Sequence, residues 1–94
     1  MNREQTVAII KNEQLGYYSW FDDISATSAN KIVILQKNGQ WIVYSTGERG
    51  EIDSMQSFGS EDDALATFIR RLRAMNKLMA RCRLIAGENN KTSE

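Results

Sequence analysis

The sequence has no histidine, no proline and a single cysteine, Cys82, among its 94 residues. Without histidine, the commonest general acid–base group and the commonest metal ligand near neutral pH are gone. One thiol and no imidazole cannot assemble an ordinary zinc site. Nor can they supply a Ser-His-Asp or Cys-His catalytic set, or an internal disulfide. No run approaches the roughly 20 apolar residues that cross a bilayer. The polar start Met1-Asn2-Arg3-Glu4-Gln5 lacks the charged-then-apolar order of a secretory signal. These absences predict a cytoplasmic protein that is not an enzyme, needs no cofactor or metal, and does not engage a membrane. Internal repeats and low-complexity tracts are also missing, so one domain over 1–87 and a polar, frayed tail over 88–94 are expected.

What is present is ordinary for a folded domain: 41% hydrophobic and 26% charged residues, where a disordered chain has fewer apolar groups and more net charge. The net charge is zero but unevenly spread. Up to Ile69 there are ten acids and five bases; from Arg70 onward, seven bases and two acids. Between Glu48 and Asp63, six acids stand against Arg49 alone. Acids at a helix start and bases toward its end complement the helix dipole, which accounts for part of this polarity. The rest suggests a charged partner.

Asn2, followed by Glu4 and Gln5, is positioned to cap a helix over about 3–14 whose apolar stripe is Val7 and Ile10, with Gly16 as terminator. Tyr17, Tyr18, Trp20 and Phe21 then predict a short strand or an ordered loop, and residues 22–30 a loop. Lys31–Lys37 and Gln40–Thr46 are β-branched and apolar around Asn38-Gly39, the preferred pair for a type I′ turn, so a central β-hairpin is expected. A weaker edge strand over 52–58 follows the turn Thr46–Glu51. Ser60 caps a second helix, with Leu65, Phe68, Ile69, Leu72, Met75 and Met79 at three- and four-residue spacing, ending before Gly87. The fold class is α+β: an antiparallel three- to four-stranded meander with an N-terminal helix and a long C-terminal helix packed on it.

The motifs divide between structural and functional uses. Gly47-Glu48-Arg49-Gly50 lacks the spacing of a phosphate-binding loop and reads as a tight connection. Arg70, Arg71, Arg73, Lys77, Arg81 and Arg83 could bind RNA or DNA. No aromatic–glycine RNA-recognition signature accompanies them, and a solvated helix face is the simpler use. Trp41 belongs to the core, while four aromatics within Tyr17–Phe21 leave one ring for a contact beside Asp22 and Asp23. Met75, Met79 and Cys82 read as core or as a self-association seam, leaving a monomer or a weak homodimer open. Cys82 has Arg81 and Arg83 beside it but no base or resolving cysteine, and reads as a spectator. A carboxylate enzyme built from Asp22, Asp23, Glu48 and Asp53 would need a concave pocket holding a carboxylate of raised pKa.

The order Trp41-Ile42-Val43-Tyr44, Glu48-Arg49-Gly50, Phe58-Gly59-Ser60-Glu61-Asp62-Asp63-Ala64, then Phe68 and Leu72 resembles small immunity proteins of bacterial polymorphic-toxin and contact-dependent growth inhibition systems, and among them the immunity protein 59 family. The resemblance spans about residues 31–72. It implies a cytoplasmic antitoxin that binds the C-terminal domain of a cognate toxin. Many such toxins are nucleases with basic substrate surfaces, which an acidic face would complement and occlude. The candidate contact residues are Asp22, Asp23, Glu48, Glu51, Asp53, Glu61 and Asp62. A nucleic-acid-associated or regulatory module using the basic helix is the alternative.

Overall fold

The structure, a computed structural model, describes residues 1–21 and 29–92, with side chains through Arg81. Its elements follow the chain as α1 (Arg3–Glu13), β1 (Tyr18–Trp20), β2 (Ile32–Lys37), β3 (Gln40–Thr46), β4 (Ile52–Phe58) and α2 (Glu61–Thr92). The strands form one sheet in the order β1-β2-β3-β4.

The Asn38-Gly39 turn is as expected: both residues take positive φ, 54° and 76°, as a type I′ turn requires. It sets the register Lys37↔Gln40 through Ile32↔Ser45. This register places Ile32 and Ile34 on one face with Val43, and Val33 on the other with Tyr44. All five are buried, so the hairpin is covered on both faces there.

The sheet is mixed rather than an antiparallel meander. β1 pairs with β2 in parallel, Tyr18↔Ile32 to Trp20↔Ile34. Parallel neighbours need a crossover of about a dozen residues, and residues 21–31 provide that length, so a β1–β2 hairpin is not forced. β4 is the outer edge, as expected, with Trp41↔Phe58, Ile42↔Ser57 and Val43↔Gln56 in register before a shift near Ser45. At that irregularity Ser54 takes φ +55°.

α1 begins with a capping box: Asn2 Oδ1 accepts the Gln5 N–H at 2.8 Å while Gln5 Oε1 accepts the Asn2 N–H at 3.0 Å. It ends at Gln14, not at Gly16. Gln14 adopts the left-handed conformation (φ 53°), and the Leu15 N–H closes on Ile10 O at 3.0 Å. The carbonyls satisfied there outweigh the roughly 1 kcal/mol that a non-glycine residue spends in this conformation.

α2 lays Ala64, Leu65, Phe68, Ile69 and Leu72 on Ile32, Ile34 and Val43, with Ile10 of α1 joining the same core. Each large buried aliphatic or aromatic side chain contributes about 1.5–3 kcal/mol of transfer free energy. Phe68 is central: Trp20 packs at 5.8 Å and Tyr18 edge-on at 6.4 Å between ring centroids. Trp41 lies at the rim of this core, half-buried, with its Nε1–H 3.3 Å from Glu61 Oε1. α2 passes through Gly87 to Thr92 instead of ending before that glycine. An interior glycine costs about 1 kcal/mol relative to alanine, which a long helix tolerates.

Candidate protein-binding surface

The acids singled out in the sequence separate into two groups. The first sits on the β3–β4 turn. Gly47 N–H bonds to Glu51 O at 2.9 Å and Gly50 N–H to Gly47 O at 3.0 Å, closing the turn, while Gly50 uses φ +77°. The Glu51 carboxylate folds back to accept the Arg49 N–H at 3.0 Å. It lies over Gly47, where a Cβ would stand 1.7 Å from its Oε1. Glu48, Glu51 and Asp53, the second residue of β4, are all exposed. Asp53 is near enough to Arg71 to favour that guanidinium's charge.

The second group is at the far end of β4, about 20 Å away by strand rise, and is engaged within the fold. Glu61 accepts from Arg3 Nε at 2.6 Å and from Trp41. Asp62 pairs with the N-terminal ammonium. Glu61 and Asp62 therefore do not share a face with Glu48, Glu51 and Asp53, and their charges are already countered. Asp22 and Asp23 lie outside the described residues.

The basic ridge is likewise divided. Arg73 makes a two-pronged bond to Glu13, 3.0 and 2.6 Å, across α1 and α2. This bond lowers the Glu13 pKa and raises that of Arg73. Arg71 Nη2 donates to Ser54 O at 2.6 Å and Gln56 Oε1 at 3.0 Å. Burial works against its charge, as does Arg70, and its Nη1 is buried without a partner among the described residues. Arg70, Lys77 and Arg81 are exposed.

A feature that sequence reasoning missed is the open side of the sheet. Gln56 points to α2, as its bond to Arg71 shows, so alternation turns Met55 outward. Ile52 pairs with Thr46 and Ser57 with Ile42, on that same outward face. The face is closed over Ser19, Val33 and Tyr44 but open at β4, where Ile52 is 59% and Met55 52% exposed. Two apolar side chains three positions apart on an edge strand were the available signal. Together with half-buried Ile42 they form an apolar centre with Glu48 and Glu51 at its end, the layout of an interface core and polar rim.

One groove of about 510 Å³ is lined, among the described residues, by Arg3, Phe21, Leu35, Gln36 and Lys37, none of which is a carboxylate. Arg3 stacks over Phe21 at 3.9 Å from the ring centroid. Glu13 lines another groove with Leu15 and Arg73, with its pKa lowered rather than raised. Among the described residues no three or more Cys, Asp or Glu side chains gather as a metal site, and no helix is long and apolar enough to cross a membrane. Comparison with protein-family models, curated proteins and solved structures finds no match to this chain.

Proposed function

We propose that this protein is an immunity protein: a cytoplasmic antitoxin that neutralises a cognate bacterial toxin by binding its C-terminal domain, and that it performs no catalysis. The observation that carries this reading is the open β4 face, with Ile52 and Met55 more than half exposed and Glu48 and Glu51 beside them. Apolar side chains, methionine among them, ringed by charged residues have the composition of a contact surface. The acidic end complements the basic substrate surface of a nuclease and would accelerate encounter through charge. The motif order over residues 31–72 supports the same reading. The contact set on this face is Ile42, Glu48, Glu51, Ile52 and Met55; Asp53, paired with Ser45, turns to the α2 side near Arg71, and Glu61 and Asp62 serve the fold.

The test is capture of the toxin domain encoded beside this gene, followed by Ile52→Glu and Met55→Glu. Both positions are exposed, so the fold should persist while affinity falls at least tenfold. Failure to capture the neighbouring product, or full protection by the double variant, would overturn the proposal.

A further inference from the structure

α2 is longer than the sheet it covers. Its 32 residues extend about 48 Å at 1.5 Å per residue, whereas the seven residues of β4 reach about 23 Å. The molecule is correspondingly drawn out, 55 Å in its longest dimension against 28 and 17 Å. α2 runs back along β4, and at the β3–β4 turn end of the sheet Ala74, Met75 and Leu78 border a groove with Ser45 and Ser54. The helix beyond Leu78 therefore overhangs the end of the body that carries Glu48, Glu51 and Asp53.

Two properties of the overhang call for a partner. The apolar spacing that buries Leu65, Phe68 and Leu72 continues through Leu78 and Met79, and Leu78 is 56% exposed. The helix is also basic here, with Lys77 and Arg81 both exposed. Lys77 and Arg81 enter none of the ion pairs formed among the described residues, and neither do Glu48 and Glu51. Opposite unpaired charges thus lie at the same end of one molecule. A two-fold axis there brings the basic overhang of one copy against the acidic turn of the other, twice over, which is the self-complementarity an isologous interface requires.

We infer that the chain associates with a second copy through this end, with antiparallel α2 overhangs joined around Leu78 and Met79, and with Lys77 and Arg81 of each copy facing Glu48 and Glu51 of the other. This goes beyond the antitoxin reading and does not depend on it. The two share the carboxylates of the turn, but Ile52 and Met55 report only on toxin capture, and Leu78, Lys77 and Arg81 only on self-association.

Sedimentation of the full chain over a concentration series at low and high salt tests the inference. A dimer that dissociates as salt rises is expected, because screening weakens the charge contacts. Leu78→Glu should be monomeric with an unchanged circular dichroism spectrum. The variants Lys77→Glu/Arg81→Glu and Glu48→Lys/Glu51→Lys should each be monomeric alone and form a heterodimer when mixed, since each mixed contact then joins opposite charges. A wild-type chain that stays monomeric at low salt would overturn the inference, as would swapped variants that fail to combine. So would a monomer whose Lys77 and Arg81 instead bind an oligonucleotide or anionic phosphatidylserine vesicles.

Discussion

Asn76 holds Gly16 by both of its backbone groups: Oδ1 accepts the Gly16 N–H at 2.8 Å and Nδ2 donates to the Gly16 carbonyl at 2.9 Å. The same amide nitrogen reaches Leu72 O at 2.8 Å within α2. One side chain thereby fastens the α1–β1 connection to the long helix. Asn76→Ala would leave two partly buried backbone groups without their partners, at a cost of about 1–3 kcal/mol. Urea unfolding should show this as a lower midpoint with an unchanged slope. Asn76→Asp keeps the acceptor but sets a carboxylate oxygen against the Gly16 and Leu72 carbonyls, so at neutral pH it should lose at least as much as alanine.

Glycine positions separate backbone need from space. Gly39→Ala meets no atom within 4 Å, yet φ is +76°, so a loss of about 1 kcal/mol is expected from backbone strain alone. Gly59 is also open, without positive φ, and Gly59→Ala should be neutral or stabilising by up to about 1 kcal/mol through the unfolded chain. Equal thermal shifts in the two variants would contradict this account.

The Glu13–Arg73 pair sets an acid dependence. The hydrogen bond from Arg73 lowers the folded-state pKa of Glu13. Its contribution is therefore present above the unfolded glutamate value of about 4.3 and is lost as pH falls through the lower folded value. Both groups are exposed, so the effect is small and screened by salt. Glu13→Gln should lower neutral and alkaline stability slightly, leave stability at the acid extreme unchanged, and so flatten the acid limb of the profile below about pH 5. An acid limb identical to wild type would count against the pair.

Arg71 closes the edge strand at its bulge. Bulges and charges on edge strands discourage pairing with other chains, and here the guanidinium also occupies the Ser54 carbonyl. Arg71→Ala should speed amide exchange over residues 53–56 and raise aggregation, with a modest net stability loss of about 1 kcal/mol because an imperfectly satisfied, partly buried cation is removed as well. Slower exchange in that segment would refute the clamp.

Much of the local architecture was legible because its causes are local. Asn2 and Gln5 form their capping box with neighbours, Asn38-Gly39 meets its turn geometry from intrinsic preference, and the stripe Leu65–Leu72 follows helical period. Misreadings arose where distant groups decide the outcome. Gln14 rather than Gly16 ends α1 because the carbonyls of Ile10 and Lys11 are satisfied there. β1 lies parallel to β2 because the long connection permits a return. Among the proposed contact residues, Glu48, Glu51 and Asp53 stay together since the turn keeps neighbours adjacent. Glu61 and Asp62 are drawn away by Arg3 and the N-terminal ammonium, which no local pattern announces.

By itself, then, the sequence determined where helices and strands form, which residues face the core, and that imidazole chemistry is missing, since composition, period and turn preference act over a few residues. Only the tertiary structure decided which charges cancel, which stay exposed, that Ile52 and Met55 face outward, and that α2 overhangs the acidic turn. Those outcomes depend on strand order and on contacts between residues up to 61 positions apart, where sequence separation carries no information about distance.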